Sequence, residues 1–267
     1  MKHSRAIAFD FDGTLVRTGH DKGLHIIYAS WVACAECGLE GVVHGGDDLA
    51  GEVDRIVTAY LRYPGAPRFQ QLAAIVNSLV NNEPTAFDDV AVLGAGEEVA
   101  ESYGKVRARY NEIYSGLNDI AAEKYWGPFS SVKRVLQELS QDHDLFVASG
   151  VTQDILEGDF DKHGFDRDIF DGIYGGNLEG GNDKGEILKE LWGRGYWDLL
   201  FVADSNKDLE YAIEADARFY RIEDDDSYGR LMELIVAGER PNQREYWTFT
   251  AEEEAMYRRE MVHPLEQ

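Results

Sequence analysis

The chain is poor in cysteine, proline and positive charge, and it contains no long hydrophobic run. Each shortage removes a class of protein. No apolar stretch approaches the roughly 20 residues that a bilayer-spanning helix needs. The N-terminal "MKHSRAIAFDFDG" has its apolar run broken by aspartates, unlike a secretory leader. A cytoplasmic protein with no membrane partner is expected. With 26 Lys plus Arg against 50 Asp plus Glu, the formal charge is -24, which repels nucleic-acid backbones and anionic lipid. Nucleic acid is therefore not an expected partner. Such acidity suits either simple solubility or a high-salt surrounding. Composition leaves the oligomeric state open.

The two cysteines, Cys34 and Cys37, stand at CxxC spacing in "WVACAECGL". A structural zinc takes four ligands. With no second CxxC, and with His44 the nearest histidine, at most three can be found locally. Two ordinary thiols at i, i+3 on a helix are the expected reading.

What is present is 44% hydrophobic content over 267 residues, enough for one large domain or two smaller ones. Short apolar runs ending in small or polar residues recur at "AIAFD", "LFVASG", "LLFVAD" and "ARFYRI", with helical patterns such as "SVKRVLQELS" and "KGEILKELWG" between them. Strands that alternate with helices and lack polar alternation indicate a parallel sheet covered on both faces, an α/β core of the Rossmann-like kind. Its ligand crevice lies beyond the carboxyl ends of the strands, near the topological switch point.

The second strand does not arrive until Leu145, far later than a βα unit requires. The intervening stretch carries about four segments at helical spacing, broken by Gly and Pro, which predicts an inserted helical domain over 17–119. The core is expected over 1–16 and 120–240, and a C-terminal helical extension over 241–267, opened by a capping-box pattern at Thr250 and Glu253 and packed on the core. The acidic run Glu223 to Asp226 reads as a solvated loop.

Placing the strand-end polar residues together brings Asp10 and Asp12, Ser149, and Asp204 and Asp208 to one crevice. Close carboxylates repel each other unless a cation compensates them. Hard oxygen ligands at one sheet edge suit Mg²⁺, usually with waters and a substrate phosphate. A carboxylate can attack phosphorus and divide a hydrolysis into two displacements, a role that falls to Asp10. Asp12, two residues on, can give a proton to the leaving oxygen and later assist water. Gly13 allows close backbone approach, and Lys184, in the Gly-rich stretch "GGNDKGEILKEL" before a helix, is the candidate for offsetting transition-state charge; Lys189, inside that helix, is the poorer choice.

"DFDGTLV", then Ser149 in "LFVASG", Lys184 and "FVADSNKD" resemble the four ordered motifs of the haloacid dehalogenase superfamily, in its phosphatase branch. The resemblance covers about residues 5–16 and 120–222. It implies that Asp10 is the nucleophile and a Mg²⁺ ligand, that Asp12 is the general acid/base whose carbonyl also meets the metal, and that Thr14 is a turn residue. Ser149, with Gly150 beside it, and Lys184 would bind the phosphoryl group, while Asp204 and Asp208 would hold Mg²⁺. Ala203 replaces a frequent glycine, both residues being small. The insertion resembles a cap that closes over small substrates, for which Arg17, His20, Lys22 and Arg68 are candidate specificity residues. The implied activity is Mg²⁺-dependent hydrolysis of a small phosphorylated metabolite. Rivals are a phosphosugar mutase or phosphotransferase, a phosphonate hydrolase, and a binding protein without turnover.

Overall fold

A computed structural model of the chain describes residues 5–18, 21–38, 49–62, 68–81, 97–176 and 184–262. The chain divides into two compact units, one of residues 1–18 and 126–247, the other of residues 19–125 and 248–267.

The first unit is α/β. Strands β1 (Arg5–Phe9), β4 (Asp144–Thr152), β5 (Gly172–Gly176), β6 (Asp198–Ala203) and β7 (Arg218–Arg221) form one sheet in the order β5-β4-β1-β6-β7. Every neighbouring pair is parallel. Both faces are buried, which explains the near-continuous apolar strands. On one face Ile7, Phe9, Leu145, Val147, Leu200 and Val202 lie in a single apolar cluster. That cluster includes Val135 and Leu136 of α5 (Val132–Leu139), Phe160 of α6 (Gln153–His163) and Leu231 of α9 (Asp225–Val236). On the other face Ala6, Ala8, Phe146, Ala148, Phe201 and Ala203 join Leu188 of α7 (Lys184–Gly193) and Leu209 of α8 (Asn206–Glu214). β1 is central, and the chain moves outward from it in both directions. The topological switch point therefore lies between β1 and its neighbours, where ligands of such sheets bind.

Two short strands, β2 (Val16–Arg17) and β3 (Gly127–Pro128), pair antiparallel where the chain leaves and re-enters this unit. β4 runs on to Thr152, with a register shift between Ala148 and Thr152, so Ser149 sits in an irregular strand continuation and not at the strand terminus expected from "LFVAS". The run Glu223 to Asp226 is a loop only in its first half, Glu223 and Asp224 being exposed ahead of α9. Asp224 caps α9, accepting from Ser227 N at 2.8 Å in a reciprocal capping box. Asp225 and Asp226 then stand in the first turn, where the helix dipole favours negative charge.

The second unit is helical: α1 (Asp21–Glu36), α2 (Leu49–Leu61), α3 (Arg68–Asn81), α4 (Glu97–Lys124) and α10 (Ala251–Val262). Its core gathers Ile27, Val57, Leu72, Val76, Val106 and Tyr110. α4 continues to Lys124, a few residues past the expected return to the core near 120, because apolar residues at helical spacing persist to Ala121. α10 packs on α1 and α2 in this unit, and not on the sheet as expected: Tyr257 and Met261 are buried in the same cluster, and Arg258 bonds Asp54 at 2.8 Å. The Thr250–Glu253 capping box is formed, with Glu253 N donating to Thr250 Oγ1 at 3.2 Å and Thr250 N to Glu253 Oε2 at 2.8 Å. Cys34 is a buried free thiol on α1, raised to about 12 by burial and then by Cys37, which lies just past the helix end.

Candidate active site

β1 delivers Asp10 at its carboxyl end, and Asp10 N donates to Val202 O at 2.9 Å, which fixes the aspartate against β6. The chain then folds into a tight loop in which Leu15 N and Val16 N both donate to Phe11 O, at 2.8 and 3.0 Å. Gly13 stands at φ +75°. A Cβ there would fall 2.1 Å from Asp204 Oδ2, so glycine is demanded twice, by backbone conformation and by the carboxylate pressed against it. Tyr228, buried on α9, donates to Thr14 O at 2.5 Å and pins the loop from beneath.

β6 delivers Asp204 and, one turn into α8, Asp208. Ser205 caps that helix, accepting from Asp208 N at 3.1 Å while its hydroxyl donates to Asp208 Oδ2 at 2.5 Å. Asp10, Asp204 and Asp208 each offer a carboxylate oxygen within 4.8 Å of the others. Lys184 opens α7, and its Nζ reaches Asp10 Oδ1 at 2.9 Å and Asp208 Oδ1 at 2.7 Å. Gly150 lies beside that side chain, the Lys184 Cε being 4.0 Å from where a Cβ would stand, an ordinary contact distance. Ser149 is buried, with its Oγ accepting from Val151 N at 3.3 Å.

One ammonium does not neutralise this cluster. Burial holds Asp10 well above the ordinary carboxylate range; Lys184 pulls it down, while Asp208, Asp204 and Asp12 push it up. Asp204 is exposed by side-chain area, yet the protein packed around its carboxyl, and then Asp208, push it up to about 7 against Lys184. For Lys184, burial opposes the charge, but Asp10 and Asp208 outweigh it and raise the lysine. Three converging carboxylates, two of them reluctant to ionise, meet the requirements of a hard divalent cation with oxygen ligands. The donor set fits Mg²⁺.

The structure thus brings together Asp10, Gly13, Lys184, Asp204 and Asp208. Asp12 is half-buried beside them, and its charge acts on Asp10, Asp204 and His163. Arg17 is engaged within the α/β unit, bonding Asp225 at 2.5 Å and lying 5.2 Å from the Phe129 ring centre. Lys22 is half-buried in the first turn of α1, and Arg68 opens α3. His20 and the Gly-rich stretch 177–183 lie outside the described residues. Two further residues stand beside the site, Asn206, inside the stretch "FVADSNKD" but given no role by it, and Arg221, which no motif reaches. Arg221 is 8% exposed, donates to Asn206 Oδ1 at 2.8 Å and feels the charges of Asp204 and Asp208. Only its place at the carboxyl end of β7 could have marked it.

No family model and no curated protein matches the chain. Solved structures do. A haloacid dehalogenase-like hydrolase from Streptococcus pneumoniae aligns with 88% of this chain and 99% of its own at TM-score 0.51 and 18% identity. A structure described as a haloacid dehalogenase-like hydrolase from Bacteroides fragilis covers 93% and 98% at TM-score 0.51 and 18% identity. One described as a predicted phosphoglycolate phosphatase from Haemophilus somnus covers 86% and 97% at TM-score 0.51 and 17% identity. The chain has the haloacid dehalogenase-like fold. In this fold, the four residue groups read as motifs in the sequence fall at the carboxyl edge of the sheet.

Proposed function

We propose that the chain is a Mg²⁺-dependent phosphatase that hydrolyses a small phosphorylated metabolite through an aspartyl-phosphate on Asp10. The observation that carries this reading is Lys184 bridging Asp10 and Asp208 in a cluster of three carboxylates at the sheet's switch point. Asp10, Asp204 and Asp208, with the Asp12 carbonyl, would hold the metal, which when bound neutralises phosphoryl oxygens as their charge develops.

The chain's own groups account for the remaining steps. An Asp10 carboxylate oxygen forms a bond to phosphorus while the ester P–O bond breaks, and Asp12 gives its proton to the departing oxygen. Water then attacks the same phosphorus, Asp12 takes the water's proton, and the P–O bond to Asp10 breaks, restoring the carboxylate. Lys184 favours the ionised form of Asp10 against burial and its acidic neighbours, and would meet the transferring phosphoryl group together with Ser149 and Gly150. The helical insertion would serve as the cap, with His20, Lys22 and Arg68 as its candidates for substrate contacts; Arg17, a candidate in the sequence, belongs to the α/β unit and is paired with Asp225.

The test is phosphate release from an aryl phosphate and a panel of small phosphorylated acids and sugars, including phosphoglycolate, with Mg²⁺ and with a chelator. Asp10→Asn should abolish turnover while circular dichroism and melting stay native-like. Substantial activity in that variant would sink the assignment. An isomerised phosphosugar in place of free phosphate would identify a mutase.

A further inference from the structure

The acidic site is braced by a part of the chain that no motif reaches. Beyond α9, residues 239–247 run along β7, the edge strand of the sheet, and satisfy that edge with side chains. Phe219 N donates to Asn242 Oδ1 at 3.3 Å and Arg221 N to Gln243 Oε1 at 2.6 Å, while Gln243 N donates to Phe219 O at 2.8 Å. The segment then closes on Asn206. The Asn206 amide nitrogen donates to Trp247 O, and its oxygen accepts from Trp247 N at 2.7 Å. A carboxamide offers both a donor and an acceptor, as this two-way clamp requires, whereas an ionised carboxylate can only accept. The same oxygen accepts from Arg221 Nη2 at 2.8 Å.

Asn206 lies between Asp204 and Asp208 and is the first residue of α8. Where it is held decides where the first turn of α8 points, and with it the separation of two carboxylates. Arg221 backs the same residue with a buried positive charge close to both. We propose that Asn206 is a positioning residue: through its clamp on Trp247 and its bond from Arg221 it fixes Asp204 and Asp208 in the geometry that binds Mg²⁺. The inference rests on the metal site proposed above. It also gives the segment a purpose, since at Thr248 the chain passes into the helical unit for the second time, after the first passage at Gly19.

Two variants open the clamp from opposite sides. Asn206→Ala removes the carboxamide, and Trp247→Pro removes the N–H together with the half-buried indole while leaving the side chains of Asp10, Lys184, Asp204, Asn206 and Asp208 in place. Mg²⁺ binding to the full chain is measured by calorimetry, and amide hydrogen exchange is followed over 206–208 and 242–247. Both variants should weaken Mg²⁺ binding about tenfold or more, as loss of an outer support for metal ligands does. The double variant should be no weaker than Asn206→Ala alone, and kcat at saturating Mg²⁺ should be largely retained. Faster exchange over 242–247 with wild-type Mg²⁺ affinity would overturn the proposal, because the clamp would then hold only the segment. Trp247→Pro decides the matter by itself if Asn206→Ala does not fold. Clamp-dependent Mg²⁺ binding without phosphate release would leave the inference standing and remove the phosphatase reading; a wild-type chain that binds no Mg²⁺ would remove both.

Discussion

Lys184 is the residue on which the metal-free site depends most. Its side chain is 14% exposed, and the two carboxylates it bridges are buried. Removing one partner of a buried pair leaves an uncompensated charge, which costs about 3–5 kcal/mol. Lys184→Met should therefore lower the unfolding free energy measured by urea titration by that order at pH 8 without metal, and Mg²⁺ should restore much of it. Asp204 predicts a pH dependence whose sign follows from its raised value. Between about 4 and about 7 the folded chain binds more protons there than the unfolded chain does. Metal-free stability from this group is thus fully present below the unfolded carboxylate range and is lost as pH rises through about 7. A divalent cation takes the place of those protons, so thermal scans should show a larger Mg²⁺-induced rise in Tm at pH 8 than at pH 5. An equal rise at both values would contradict the placement of Asp204 among the ligands.

At the scale of elements, α10 carries little apolar surface of its own, yet it is anchored by specific contacts. Tyr257 is 3% exposed, with its ring 5.5 Å from Tyr60 and 5.8 Å from Phe249. The hydroxyls of Tyr60 and Tyr257 converge on Gly23, where a Cβ would fall 2.4 and 2.8 Å from them. Tyr257→Ala should destabilise the helical unit by about 3 kcal/mol, the usual cost of emptying an aromatic core site. It should also make the C-terminus cleavable by trypsin at Arg258 and Arg259, which a wild-type control resists. The capping box at Thr250 was readable from spacing alone, because a cap is a local matter. The surface that α10 covers was not, since contacts across some 200 residues leave no periodic signal. The acidic run at Glu223 shows the same division: four acidic residues look like a solvated loop until Ser227 Oγ is seen to accept from Glu223 N at 3.1 Å and to close the turn.

At the scale of the whole molecule, the net charge of -24 repels itself at every pH where the carboxylates are ionised. Screening should relieve this. Raising monovalent salt from about 0.01 M to about 1 M shortens the Debye length from ~30 to ~3 Å, and Tm should rise across that range with Mg²⁺ held constant. A Tm that falls with salt would mean that the surface ion pairs, such as Arg134–Glu138, outweigh the repulsion. Among the described residues no helix is long and apolar enough to cross a membrane.

By itself, the sequence determined the α/β core, the residues of the acidic cluster and the presence of a helical insertion. These are written in strand-length apolar runs, in strand-end carboxylates and in helical periodicity, all local patterns that survive without coordinates. Only the tertiary structure decided that Lys184 joins Asp10 to Asp208, that Gly13 is shaped around Asp204, and that Asn206, between Asp204 and Asp208, is bonded to Trp247. Those facts depend on which strand lies beside which and on where a returning segment comes to rest. Distance along the chain carries no record of either.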